Sequence, residues 1–276
     1  MKRILTAAVA LPILLYTVWS EIPYFFVALT AIAVIIGLRE FDGLAGKADC
    51  HSQPALEGAA ALLVLACFVI GRLDWIAAVL GGLAIASLSF ALVRTGELNR
   101  ALVSVSATTF GVVYVALLAG YLAAVRMTPD TLTRAPVPHL AAKLLTMFFA
   151  LVMMTDTGAY YTGRSMGRHK LAPRISPGKT REGSVGGLLA AVGAGPLCKL
   201  VFFPEIPVVH AVALGAAIGI LGQVGDLAES MLKRGADVKD SGNLLPGHGG
   251  MLDRVDSILF CAPLLYYYSR LFLPRI

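Results

Sequence analysis

The chain has 276 residues, of which 57% are hydrophobic and only 14% charged, and it carries a formal net charge of +6. Soluble domains are about 45–50% apolar, so the composition excludes an ordinary soluble globular protein and leaves a polytopic membrane protein. The positive balance does not call for nucleic acid, because basic residues on one side of a membrane protein first of all set its orientation.

A bilayer core roughly 30 Å thick asks for about 20 apolar residues per helix. Spans are expected at 4–20, 22–38, 56–71, 75–93, 101–125, 139–161, 184–203, 206–226 and 255–273, which makes an all-α protein with about nine transmembrane helices. Residues 1–138 hold five of these spans, and residues 139–276 hold four together with the long polar loops. Met1-Lys2-Arg3 before an apolar run could pass for a secretory signal. It lacks a small-x-small cleavage site and a second span follows at once, so an uncleaved first helix is expected. Cys50, Cys67, Cys198 and Cys261 are scattered and form no C-x-x-C pair, which argues against a zinc site or a disulfide framework. Runs such as Gly81-Gly82 and Gly215-Ala216-Ala217 suit close helix packing in lipid. No internal repeat is visible, which weakens a secondary-transporter reading.

With the N-terminus inside, 16 of the 23 Lys and Arg residues fall in inner loops, and both long polar stretches face the cytosol. The first begins at the end of the sixth span, with Asp156 following an apolar run that has no polar prelude. An aspartate at that depth costs at least about 2.5 kcal/mol unless it finds a partner or water. Gly158, Gly163 and Gly167 follow, interleaved with Arg164, Arg168 and Lys170, a mixture that suits close backbone approach to an anion. No Gly-Lys-Ser/Thr closes the run, so it is not a Walker A loop. Ser176-Pro-Gly-Lys179-Thr180 reads as turn chemistry just before the seventh span, where backbone N–H groups and the helix dipole favour phosphate. A plain orientation anchor would have no use for Ser176, Thr180, Glu182 and three glycines.

The second stretch, Ser230 to Asp256, concentrates basic residues, aspartates and a histidine between two apolar runs. If the eighth span stays helical, Asp226, Glu229 or Ser230, and Lys233 share one face. Lys239-Asp240 leads into Leu244-Leu245-Pro246-Gly247-His248-Gly249-Gly250, whose proline and glycines turn the chain back to the membrane. Asp253-Arg254-Val255-Asp256 then opens the last span. Asp226 and Asp253 thus flank one re-entering loop amid Lys and Arg, which is the composition of a magnesium-assisted phosphate site. Mg²⁺ takes one or two carboxylates and completes its shell with water and substrate oxygens. A purely structural ion cluster would have the same composition.

In this stretch Ser230, Lys233, Arg234, Lys239, Asp240, His248, Gly249, Gly250, Asp253, Arg254 and Asp256 resemble, in register, the signature of the phosphatidate cytidylyltransferases, or CDP-diacylglycerol synthases. The segments around Asp156 and Ser176–Thr180 are similar to that family's in the same order, and the likeness covers residues 140–270. The first five spans match only as generic apolar helices. The resemblance implies transfer of the cytidylyl group of CTP to phosphatidate, giving CDP-diacylglycerol and pyrophosphate. It implies Mg²⁺ on Asp226 and Asp253, with a monovalent cation such as K⁺ as a candidate companion. Lys179, Lys233, Arg234, Lys239 and Arg254 would then neutralise phosphates, while Ser176, Thr180 and Ser230 bind substrate. Asp156, Asp240 and Asp256 would lie among the catalytic groups, with His248 on phosphate or base or else shaping its turn. CTP, phosphatidate and the lipid bilayer are the expected partners, with a homodimer allowed. The expected place is the inner (plasma) membrane with the site facing the cytoplasm. A CTP-dependent lipid kinase, a prenyl-lipid cytidylyltransferase, a cation transporter and a membrane scaffold are the competing readings.

Overall fold

The computed structural model describes the backbone of residues 2–94, 98–242 and 249–275. The helices run in order α1 (Lys2–Trp19), α2 (Tyr24–Lys47), α3 (Pro54–Ile70), α4 (Asp74–Arg94) and α5 (Leu98–Gly111). A π-helical turn, Val112–Leu117, carries α5 into α6 (Leu118–Arg126). Next come α7 (Leu140–Met166), an antiparallel hairpin of β1 (Lys170–Ala172) and β2 (Ser176–Thr180), α8 (Arg181–Val201), α9 (Val208–Gly235) and α10 (Leu252–Leu271).

Among the described residues six helical stretches are long and apolar enough to cross a membrane: Tyr24–Lys47, Asp74–Val93, Arg100–Arg126, Leu140–Met166, Arg181–Val201 and Val208–Gly235. Ala8–Trp19 and Pro54–Ile70 are apolar but shorter. The last helix carries Asp253, Arg254, Asp256 and Arg270 within its 20 residues, too many charges for an uninterrupted apolar window. The all-α polytopic architecture therefore holds, while the count of nine crossings rests on the sequence. Outward-facing side chains agree with a lipid surround: Ile85, Leu102 and Leu200 are 69%, 74% and 80% exposed. Water would penalise so much bare apolar surface.

The chain divides into two compact units that do not follow the chain order. The first comprises Met1–Thr17, Ile22–Ala124 and Leu232–Arg254. Its core includes Val34, Leu38, Val64, Phe68, Val112, Val115 and Leu252, all at most 4% exposed. Gly37 of α2 admits both the π-helical turn and the start of α10, since a Cβ there would lie 3.1 Å from Val115 and 3.3 Å from Leu252.

The second unit comprises Val18–Glu21, Val125–Met231 and Val255–Ile276. Leu144, Leu145, Phe148, Leu151 and Ile218 are fully buried in its core. Here α7 and α8 touch backbone to backbone: a Cβ on Gly183 would sit 2.8 Å from the Ala159 carbonyl, and one on Gly187 2.7 Å from the Thr155 carbonyl. Lipid supplies little hydrophobic drive between helices, so close backbone approach and dispersion hold such a pair together. Gly158 and Gly163, which the sequence suggested for an anion, face α8 in this contact. Gly158 packs on α8, and Gly163 both faces α8 and lines a cavity in this unit.

Ser176–Thr180 also departs from expectation: it is a strand, where a turn was expected. Lys170 pairs with Thr180 and Ala172 with Ser176, with an irregularity between them. A two-stranded ribbon has two open edges, so Pro177 can stand in it without breaking a ladder on both sides.

Candidate active site

Two polar clusters emerge, one in each unit. In the second unit a cavity of about 540 Å³ lies among α7, the hairpin, α8 and α9, with Asp156, Arg164, Lys179, Thr180, Gln223 and Asp226 on its wall. Asp226 Oδ2 lies 2.5 Å from Lys179 Nζ. The hairpin aims Lys179, because alternate strand residues point to opposite faces and Lys179 sits two residues before α8 begins. Among the described residues, Asp226 Oδ1 has a long 3.4 Å contact with the Ser230 hydroxyl, one turn along α9. That oxygen keeps a lone pair for the cavity. Arg164 donates to the Tyr160 hydroxyl at 2.8 Å, which holds its guanidinium along the same helix face.

Thr180, which lines this cavity, is a group that the sequence reading gave to phosphate. Thr180 Oγ1 accepts from Gly183 N at 3.1 Å and so caps α8, while its hydroxyl hydrogen stays available to donate. Glu182 accepts from Arg168 N at 3.1 Å and His169 N at 3.2 Å, and lies 2.6 Å from His169 Nδ1. It ties the start of the hairpin to the first turn of α8. Ser176 lies on β2, on the strand that carries Lys179. Asp156 is exposed on α7, inside the membrane-length helix as expected.

In the first unit the centre is Asp253, whose side chain is 7% exposed. Its Oδ1 pairs with Lys233 Nζ at 2.6 Å. Its Oδ2 accepts from Ser241 N at 2.9 Å, Ser241 Oγ at 3.0 Å and Gly250 N at 2.8 Å. Gly249 has φ +77°, and a Cβ there would come within 2.6 Å of Asp253 Oδ2, so only glycine fits between the turn and the carboxylate. α9 stays helical to Gly235, so Asp226, Ser230 and Lys233 do lie along one face of it. Arg234 Nη1 donates to the Val238 carbonyl at 2.9 Å and closes the end of α9. Lys239 and Asp240 are exposed beyond it, and Arg254 is exposed in the first turn of α10. Asp256 is 9% exposed and accepts from Ser257 N at 2.6 Å. His248 and the Leu244–Gly247 turn lie outside the described residues.

One participant escaped the sequence reading. Glu40 of α2 accepts from Met251 N at 2.8 Å and Leu252 N at 2.9 Å, and its Oε2 lies 3.1 Å from Ser241 Oγ, whose one hydrogen it shares with Asp253 Oδ2. Its signal was present: an acid near the end of a membrane-length apolar helix, where a carboxylate is costly without partners.

The two carboxylates differ in how they suit a metal ion. Asp226 Oδ1 is open to a cavity already lined with basic groups, which fits a Mg²⁺ ion held by one carboxylate, water and phosphate oxygens. Asp253 accepts four hydrogen bonds and would take a cation at Oδ1 in exchange for the Lys233 ammonium. No group of three or more His, Cys, Asp or Glu side chains able to hold a metal occurs among the described residues. A metal here would rely on substrate and water for most of its shell.

The model of the Cytidylyltransferase family matches residues 1–272. A phosphatidate cytidylyltransferase of Bacillus subtilis (strain 168) is 49% identical over 128 residues, 46% of this chain and 48% of the relative. One from Brucella suis biovar 1 is 48% identical over 132 residues, 46% of this chain and 47% of the relative. The uncharacterized protein YnbB of Escherichia coli (strain K12) is 38% identical over 178 residues, 64% of this chain and 58% of the relative. The chain spans about half the length of the curated relatives it matches.

Proposed function

We propose that this chain, which belongs to the cytidylyltransferase family, transfers the cytidylyl group of CTP to phosphatidate, giving CDP-diacylglycerol and pyrophosphate. The observation that carries the reading is the Asp226–Lys179 pair, 2.5 Å apart on the wall of a cavity that also holds Asp156, Arg164 and Gln223. It sets a cation acceptor beside cationic donors, as a nucleoside triphosphate requires. The phosphatidate phosphate oxygen attacks the α-phosphorus of CTP, and the bond to the β-phosphate breaks to release pyrophosphate. No general base is needed, because a phosphate monoester with a second pKa of about 6 is already ionised at neutral pH.

The work left to the protein is positioning and charge neutralisation. Lys179 and Arg164 hold phosphate oxygens at the cavity, and Thr180 donates its hydroxyl hydrogen there. Lys233, Arg234, Lys239 and Arg254 offset phosphate charge around Asp253. Asp226 and Asp253 are each a carboxylate that would hold Mg²⁺, with a monovalent cation such as K⁺ as companion, and the bound cation would supply charge that offsets the repulsion between the two anionic substrates. The protein sits in the inner membrane with this chemistry on the cytoplasmic side, where CTP is present.

Incubating the purified protein with phosphatidate vesicles, Mg²⁺ and CTP labelled at either the α- or the γ-phosphate tests this. The α-label should enter the lipid and the γ-label should leave as pyrophosphate. Lipid carrying the γ-label would establish a CTP-dependent kinase in its place.

A further inference from the structure

Asp253 does not hold its own position. It opens α10, and Ser241 and Gly250, which precede it in the chain, supply three of the four hydrogen bonds on its carboxylate. These donors need their own anchor. The first N–H groups of a helix have no partner within the helix, and an acid placed there satisfies them and complements the dipole. α10 receives that acid from a distant part of the chain. Glu40, 212 residues away from Leu252, accepts both the Met251 and the Leu252 N–H, one on each oxygen. Its Oε2 also accepts from Ser241 Oγ, the same hydroxyl that lies 3.0 Å from Asp253 Oδ2. One serine therefore links the two carboxylates.

The surrounding glycines show how tightly the arrangement is built. A Cβ on Gly242 would come within 2.6 Å of Glu40 Oε1, and one on Gly250 would collide with Glu40 Oε2 and Ser241 Oγ. Leu252, fully buried, packs at Gly37, one helical turn before Glu40, so α2 grips the start of α10 by an apolar and a polar contact together. A half-buried carboxylate on two N–H donors and a shared hydroxyl is worth more than a surface pair, and removing its charge leaves donors without an acceptor.

We infer that Glu40 is a positioning residue for Asp253: by clamping Met251, Leu252 and Ser241 it sets where the Asp253 carboxylate stands, and through it the affinity for the divalent cation. This rests on the reading that Asp253 takes part in cation binding.

The test uses the full-length protein in detergent with Glu40→Gln, which keeps shape but turns one acceptor into a donor, and Ser241→Ala, which removes only the shared hydroxyl. Mn²⁺ serves as the probe, its half-saturation read by electron paramagnetic resonance without substrate. Amide exchange at Met251 and Leu252 is followed alongside. Partners that orient a metal ligand typically carry about 10–100-fold in affinity or activity. Glu40→Gln should therefore raise Mn²⁺ half-saturation about tenfold or more, speed exchange at both amides, and lower kcat by a similar factor with KM for CTP within about twofold. Ser241→Ala should move the same readouts in the same direction by less, and it carries the test if Glu40→Gln does not fold. Folded Glu40→Gln protein with wild-type Mn²⁺ half-saturation, or with a change confined to KM for CTP, overturns the inference. If the wild-type protein moves no cytidylyl group, the proposed function fails, while Mn²⁺ binding and amide exchange still decide the role of Glu40.

Discussion

At the scale of single residues, the two central aspartates are each met by a lysine, Asp226 by Lys179 at 2.5 Å and Asp253 by Lys233 at 2.6 Å. A buried or half-buried carboxylate needs such a counter-charge, since an isolated ion loses far more solvation than the protein can return. The same lysines suit anionic substrates, because a cation that leaves a carboxylate for a phosphate remains paired throughout. Asp226→Asn removes the charge but keeps the size, so the protein should still be recovered folded from the membrane. Its Mg²⁺-dependent turnover should fall by roughly hundredfold or more, the scale for losing one preorganised electrostatic group at a reacting phosphate. Steady-state rates against Mg²⁺ concentration check this, and near-normal turnover would remove Asp226 from the metal assignment.

At the scale of elements, the α7–α8 pair explains why the first polar stretch is so rich in glycine. Gly183 and Gly187 of α8 lie against the carbonyls of Ala159 and Thr155 on α7. The hairpin between the two helices is pinned by Glu182 and capped by Thr180, which leaves Lys179 aimed from a rigid base. Gly187→Ala would place a Cβ 2.7 Å from the Thr155 carbonyl and 3.0 Å from the Ala159 Cβ, and backbone cannot yield as a side-chain tip can. Overpacking of this kind costs about 1–3 kcal/mol, so the variant should show a lower thermal midpoint in detergent than the wild type. Gly193, which meets nothing within 4 Å, is the control position, and its alanine variant should unfold at or above the wild-type midpoint.

At the scale of the whole molecule, membrane-length helices occur together with a polar cluster in each unit. CTP, a polyanion, cannot cross a bilayer unaided, so for the proposed reaction the side on which the clusters face decides whether CTP reaches them. The proposed orientation, taken from the positive-inside pattern, has them face the cytoplasm. Sealed inside-out vesicles should then convert added CTP, whereas right-side-out vesicles should do so only after permeabilisation. Activity in intact right-side-out vesicles, with none in inside-out vesicles until permeabilisation, would reverse the orientation.

Membrane embedding, the helix sequence and the charge-bearing stretches were legible in the chain itself, because apolar run length and local charge are properties of neighbouring residues. The likeness of Ser230–Asp256 to a known signature is of the same local kind, and it singled out Lys233 and Asp253 before any contact was visible. Tertiary structure alone decided which polar groups touch. Nothing local joins Glu40 to Leu252 across 212 residues, or assigns 232–254 to the unit built by the first six helices. Nor does spacing separate a glycine that receives an anion from one that receives a neighbouring helix, since both uses need only the missing Cβ. The chain determined the composition of the site. Folding determined its partners, because a buried carboxylate takes whichever donors the packing brings within reach.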